Sequence, residues 1–235
     1  MNQCMEFGAE FIFDSIASVS LIGETKAIGL ASGKVVEAKN VIIASGANAR
    51  KLGVPNESKF IGKGVSYCAT CDGAFFKGKT VAVIGGGNTA AEDALYLEKL
   101  AKKVYMVHRR DSLRADDILV KRLEKSNVEI VWDSVVENLG GEDKITQLTL
   151  KNVKTNALTT ISVDGVFVAI GQTPNSQGFE NVSLSSGGYI ITDENMHTNI
   201  DKVYAVGDVR EKSLRQVVTA CADGAIAANA IVNGI

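Results

Sequence analysis

The chain has 235 residues, 46% of them hydrophobic and 22% charged, with a formal net charge of −2. These are ordinary values for a soluble globular protein of one large or two modest domains. The near-neutral balance and the lack of a Lys/Arg run give no footing for nucleic-acid binding or for attraction to an anionic membrane. No apolar stretch approaches the ~18 residues of a membrane span and no leader peptide is recognisable. Four cysteines do not make a disulfide framework, so a reducing, cytoplasmic setting is expected.

In chain order, the first readable element is half of an internal repeat. Phe11-Ile-Phe13-Asp14-Ser15-Ile16 opens an alternating, strand-like stretch that closes on the apolar run Asn40-Val41-Ile42-Ile43-Ala44-Ser45-Gly46. Ile130-Val-Trp132-Asp133-Ser134-Val135 opens a second such stretch, which closes on Gly165-Val166-Phe167-Val168-Ala169-Ile170-Gly171. Both copies read as antiparallel meanders with Gly, Asn and Asp at the turns. Trp132 aligns with Phe13 and is expected in the core. A complete nucleotide-binding unit precedes the second copy, whereas almost nothing precedes the first. By this internal ruler roughly 40 residues carrying a first glycine turn are expected ahead of Met1.

Between the copies stands Cys68-Ala-Thr-Cys71-Asp72-Gly73. Two cysteines with this spacing close a small disulfide when the pair opens a helix, and unpaired N–H groups at that helix end favour a thiolate. The thiolate is the form that attacks disulfides. Asp72 is placed to carry the proton that such exchange must move. The competing reading is half of a zinc site, but the remaining candidates, Cys4, Cys221, His108 and His197, show no pairing pattern. Cys221 is read as a packing cysteine, Cys4 as incidental and His197 as a surface strand residue.

A dozen residues on, the β-branched strand Lys79–Ile84 runs into Gly85-Gly86-Gly87-Asn88-Thr89-Ala90 and a helix over 90–101. In a Gly-x-Gly-x-x-Ala turn, Gly85 permits the tight bend and Gly87 lets a pyrophosphate approach the backbone. Ala90 lets helix pack on strand. Phosphate then sits at the helix N-terminus. The next strand, 104–108, ends in His108-Arg109-Arg110, with Arg114 following. An NAD-selective site places an acidic residue here. Guanidinium forks instead suit the 2′-phosphate of NADPH, although a solvated basic loop would read the same way.

With these motifs assembled, the chain resembles the bacterial-type, low-molecular-weight thioredoxin reductases across essentially its whole length. Val206-Gly207-Asp208-Val209 and Arg215-Gln216-Val217 complete the resemblance. It implies an α/β fold class: two Rossmann-like, three-layer dinucleotide-binding domains of the FAD/NAD(P)-linked disulfide reductase type, the first one incomplete. An FAD-binding domain would comprise 1–48 and 173–235, and an NADPH-binding domain carrying the redox motif would comprise 49–172. The resemblance places Gly207, Asp208, Arg215, Gln216 and Val217 against FAD, and Asn88, Thr89, His108, Arg109, Arg110 and Arg114 with the turn against NADPH. It implies electron flow from NADPH through FAD to Cys68–Cys71 and on to thioredoxin or a similar small disulfide protein, in a homodimer. Cys71 then faces the flavin and Cys68 attacks the partner. Ser45 stands where the family usually has threonine. A shortened first domain is expected to be poorly stable or rearranged. Two alternatives remain at this point: a catalytically silent NADP(H)-binding fragment that cannot hold FAD, and the flavoprotein reductase of a peroxide-reducing system.

Overall fold

The structure, a computed structural model, describes residues 2–234. Two compact units share the chain: Met1–Asn48 with Thr173–Ile235, and Ala49–Gln172 inserted between those two stretches.

The inserted unit is built on five parallel strands in the order Val65–Ser66, Gly165–Val168, Thr80–Ile84, Lys103–Val107, Glu129–Val131. Thr80–Ile84 lies at the centre, and its run of Val81, Ala82, Val83 and Ile84 is buried throughout. Such continuous apolar runs mark strands covered on both faces. The period of two sorts the side chains into layers. Val81, Val83, Val104, Met106 and Phe167 join one cluster with Ala90, Ala94, Leu97, Leu119 and Leu123 from the helices. Ala82, Ile84, Val107, Val166 and Val168 join another with Val136, Leu139, Leu148 and Leu150 from an antiparallel meander. Helices, parallel sheet and meander thus form three layers. The helix expected over 90–101 spans Asn88–Glu98. It starts two residues early because the glycine turn itself winds into the first helical turn.

The other unit has a three-stranded antiparallel meander, Ile16–Ser20, Lys26–Leu30 and Val35–Ala38. A short parallel pair, Val41–Ile43 with Val203–Ala205, and the C-terminal helix Val217–Asn233 complete its main elements. Leu21, Ile43, Ile190, Val203 and Val209 form one apolar cluster, and Met196, Tyr204, Val206, Ala227 and Ala230 another. Ser45 donates its hydroxyl to the Asn175 carbonyl at 2.6 Å, and Asn175 Nδ2 donates back to the Ser45 carbonyl at 2.9 Å.

Both units therefore contain a three-stranded meander followed by a short parallel strand, as the internal repeat suggests. The repeat's opening residues behave differently from expectation. Residues 11–15 form no strand, and Phe13 is 83% exposed. Trp132 is not a core residue; it is 37% exposed and meets the His108 ring edge-on at 6.4 Å. The reason is a break between strands: Asp133 has φ 51°, so the backbone bends where the sequence pattern runs straight on. Among the described residues no helix is long and apolar enough to cross a membrane.

Candidate functional site: a disulfide turn beside a glycine-turn cleft

Cys68 and Cys71 are joined by a disulfide, with Cα atoms 5.3 Å apart. Cys68 caps the single helical turn Ala69–Asp72, and its Sγ accepts from the Cys71 N–H at 3.2 Å. A 3₁₀ turn, Gly73–Phe76, continues from it. A Cβ at Gly73 would come within 3.0 Å of Tyr96 and Leu97 on the helix Asn88–Glu98. The glycine of the motif is thus what lets the redox turn pack directly on the glycine-turn helix. Cys71 is exposed and Cys68 half-buried. Asp72 accepts from the Ser66 hydroxyl at 2.7 Å. Tyr67, between Ser66 and Cys68, donates to Glu57 at 2.8 Å, and Glu57 also accepts from the Leu52 and Gly53 N–H groups. Burial, then the bond to Glu57 and its charge, push the Tyr67 phenol upward.

Beside the same helix lies a cleft of about 600 Å³, contained within the inserted unit. Gly85, Gly86, Gly87, Asn88, Thr89, His108, Arg109 and Arg114 line it. The three glycines do different work. A Cβ on Gly85 would strike the Ala169 carbonyl at 2.4 Å and Ala90 at 2.7 Å, so Gly85 and Ala90 serve strand–helix packing, and Ala90 itself is buried. A Cβ on Gly86 would enter the His108 ring. A Cβ on Gly87 would meet nothing within 4 Å and would project into open space. Gly87 is therefore the glycine that leaves room for a bound group at the N-terminus of the helix.

The basic loop folds back over this turn. Arg114 N–H donates to the Gly86 carbonyl at 2.7 Å, and Asn88 and Asp116 exchange two hydrogen bonds of 2.8 Å. Asn88's carboxamide is thus committed to the loop. Arg109 and Arg114 face the cleft, whereas Arg110 does not line it. His108 is buried beneath the turn, and its Nε2 has no partner among the described residues. Burial, reinforced by Arg114, Arg109 and Arg110, pushes its pKa down, while a bond to the Ser112 backbone acts the other way. The sequence reading missed Arg50, Leu52, Ser134 and Gly171, which also line the cleft. Only Gly171, closing the repeat, carried a usable signal.

In the other unit, Gly207 (φ 73°) opens the 3₁₀ turn Gly207–Val209. Asp208 Oδ1 and Arg215 Nε are buried without partners among the described residues. Arg215 lies over the Tyr189 ring at 3.9 Å. Gln216 caps the C-terminal helix in a capping box with Thr219, and Val217 is 80% exposed. Cys221 is exposed rather than packed, because Asp223, Ala227 and Ala230 define the buried stripe of that helix. The sequence reading also missed Asp223. Its carboxylate accepts from Gly207 N–H at 2.9 Å, Arg210 at 3.1 Å and Lys212 at 2.7 Å. Burial alone would raise its pKa, but Lys212, the Gly207 N–H and Arg210 together hold it below the ordinary value. Cys4 is exposed, and His197 is half-buried against Asp193 at 3.0 Å.

A parallel-sheet unit carrying a glycine-turn cleft, with a Cys-x-x-Cys disulfide turn packed against the helix that the glycine turn opens, defines a nucleotide-linked disulfide oxidoreductase. Residues 5–224 match the family model described as pyridine nucleotide-disulphide oxidoreductase, and the chain belongs to that family. It is 48% identical to a thioredoxin reductase of Peptoclostridium acidaminophilum, covering 97% of this chain and 74% of the relative. It is 44% identical to a thioredoxin reductase of Bacillus subtilis, covering 96% and 72%. Among solved structures, thioredoxin reductase from Streptococcus pyogenes superposes with a TM-score of 0.90 at 42% identity, covering 99% of this chain and 76% of that one. The chain thus spans about three quarters of the length of these relatives. It is an oxidoreductase, and thioredoxin reductases of this family bind FAD and NADPH.

Proposed function

We propose that this chain is an NADPH-dependent thioredoxin-disulfide reductase, with electrons passing from NADPH through FAD to Cys68–Cys71 and on to thioredoxin or a similar small disulfide protein. The observation that carries the reading is the Cys68–Cys71 disulfide on a turn packed against the glycine-turn helix of the same unit. Gly85, Gly87, Thr89 and the helix N-terminus would hold the pyrophosphate of NADPH, with Ala90 packing behind. Arg109 and Arg114 would take its 2′-phosphate, with Asn88 and His108 supporting them from the loop and beneath the turn. Arg110 contributes field rather than contact.

The buried, unpartnered Asp208 Oδ1 fits a ligand hydroxyl, and Arg215, Gln216 and exposed Val217 stand eight residues or so along the chain from it. These residues, with Gly207, would hold FAD, which when bound supplies the two-electron relay between nicotinamide and disulfide. The chain's own chemistry is thiol exchange. The Cys68 thiolate attacks the partner disulfide and forms a mixed disulfide, expelling one partner thiolate. Cys71 then attacks Cys68 Sγ, closing the internal disulfide and releasing the second partner thiolate. Asp72 accepts a proton as a thiol becomes a thiolate and returns one to the leaving sulfur. A homodimer working in the cytoplasm belongs to the same reading.

A second reading has its own support: the glycine-turn cleft is lined only by residues of the inserted unit, so NADPH held there would not need flavin. One experiment separates the two. After incubation with FAD and desalting, the protein is expected to keep a flavin absorption band that NADPH bleaches and oxidised thioredoxin restores. Loss of the band with NADPH binding retained would leave an NADP(H)-binding module.

A further inference from the structure

The proposed exchange chemistry uses Asp72, yet nothing in it says what holds that carboxylate in place. Ser66 ends the edge strand two residues before Cys68 and is only 6% exposed. Its hydroxyl donates to Asp72 Oδ2 at 2.7 Å and accepts from the Cys68 N–H at 3.1 Å. The Cys68 carbonyl lies 3.3 Å from the same oxygen, in a geometry that also permits donation. A hydroxyl has one proton to donate and two lone pairs to accept with. Here that proton has two alternative acceptors, and the shorter bond goes to Asp72.

We propose that Ser66 is a positioning residue for thiol–disulfide exchange, clamping the Asp72 carboxylate to the backbone of Cys68 and releasing it by a hydroxyl rotation. This rests on the redox reading of Cys68 and Cys71. While the disulfide is closed, the hydroxyl anchors Asp72. When Asp72 takes a proton from a thiol, its carboxyl gains a donor and no longer needs the serine proton. The hydroxyl then turns to the Cys68 carbonyl and stays hydrogen-bonded. No buried donor is stranded in either state, a situation that would otherwise oppose the transfer. The cysteine sulfur supplies the electron pair to the partner disulfide, and the proton moves between sulfur and Asp72. Ser66 moves neither and only sets where Asp72 waits.

The test uses the full chain carrying Cys4→Ser and Cys221→Ser, which removes the two other exposed thiols, as the wild-type background; it is reduced, freed of reductant and mixed with 5,5′-dithiobis(2-nitrobenzoate) in a stopped-flow instrument, so that flavin is not needed. Wild type must show a burst that Cys68→Ser and Cys71→Ser alter; if it shows none, the redox reading itself fails, independently of Ser66. Given that burst, Ser66→Ala is expected to slow it about tenfold, the effect of losing one hydrogen bond to a charged group. The near-isosteric pair Ser66→Thr and Ser66→Val cancels packing effects, and Thr is expected to be about tenfold faster than Val on the same ground. In an Asp72→Ala background the Ser66→Ala effect is expected to vanish. Equal rates for Thr and Val would overturn the proposal. So would an undiminished Ser66→Ala effect without Asp72, which would mean that the serine merely braces the Cys68 backbone.

Discussion

The two units solve the same problem, presenting polar groups from a short parallel sheet, in opposite ways. In the inserted unit five parallel strands are covered on both faces, and most site groups are tied down internally. Asn88 holds Asp116, Arg114 N–H holds Gly86, and Ser66 holds Asp72. In the other unit the named parallel strands among the described residues are the pair Val41–Ile43 and Val203–Ala205, and large apolar side chains such as Phe7, Val217, Val218 and Val232 remain exposed. There Asp223 is fully partnered behind the Gly207 turn, while Asp208 Oδ1 at its front is not. One unit preorganises its polar groups with its own hydrogen bonds. The other braces a turn from behind and leaves its forward carboxylate oxygen without a hydrogen-bond partner among the described residues. Among the described residues, His108 Nε2 is an exception in the first unit, without a partner beneath the glycine turn.

The largest expected effect concerns the dithiol. Cys68→Ser or Cys71→Ser is expected to abolish thioredoxin reduction, while NADPH affinity, read by calorimetric titration, stays unchanged. A parallel loss of NADPH binding would assign the cysteines a structural role. Next is Asp223→Ala, which leaves the half-buried Lys212 and Arg210 without their shared carboxylate. About 3–5 kcal/mol of stability is expected to be lost. Hydrogen exchange should show the loss confined to residues 1–48 and 173–235, with the inserted unit still protected. Because the Asp223 pKa is depressed, its stabilisation is present above the unfolded carboxylate value and is lost as pH falls through the folded one.

A comparable effect is expected in cofactor choice. Neutralising Arg109 and Arg114 should bring NADPH and NADH to equal affinity, since each charge-assisted hydrogen bond contributes about 1.5–3 kcal/mol. Arg110→Ala, off the cleft wall, should change the ratio far less. An unchanged NADPH preference in the double variant would place the phosphate elsewhere. The smallest effect concerns Asp93 on the glycine-turn helix. Burial first, then the charge of Glu92, pushes its carboxyl up to about 6 from 3.8. Between those values the folded chain holds a proton that the unfolded chain has released, so stability falls as pH rises from about 4 to 6. Asp93→Asn removes that penalty and should gain up to about 3 kcal/mol at pH 7 and nothing at pH 3.5, read by urea unfolding.

Much of this was legible in the chain because the informative motifs are contiguous. Cys68 and Cys71 meet because one helical turn brings residues three apart together, and the turn Gly85–Ala90 is a local strand-to-helix bend. The internal repeat announced both meanders. Sequence alone could not rank the glycines: Gly86 and Gly87 are neighbours of one type, and only His108, arriving from the next strand, crowds the first and spares the second. Nor could it separate Arg109 from Arg110, since one faces the cleft and the other lies off its wall.

The sequence by itself determined the redox spacing, the nucleotide turn and the kind of sheet that carries them, because each depends on backbone geometry within a few consecutive residues. Tertiary structure alone decided which distant residues complete the site. Arg50 and Gly171 share one cleft wall because Arg50 N–H donates to the Gly171 carbonyl at 3.0 Å. Asp223 reaches back to the Gly207 turn because the buried stripe of the C-terminal helix faces it. These contacts follow from strand order and helix packing, which no stretch of neighbouring residues encodes.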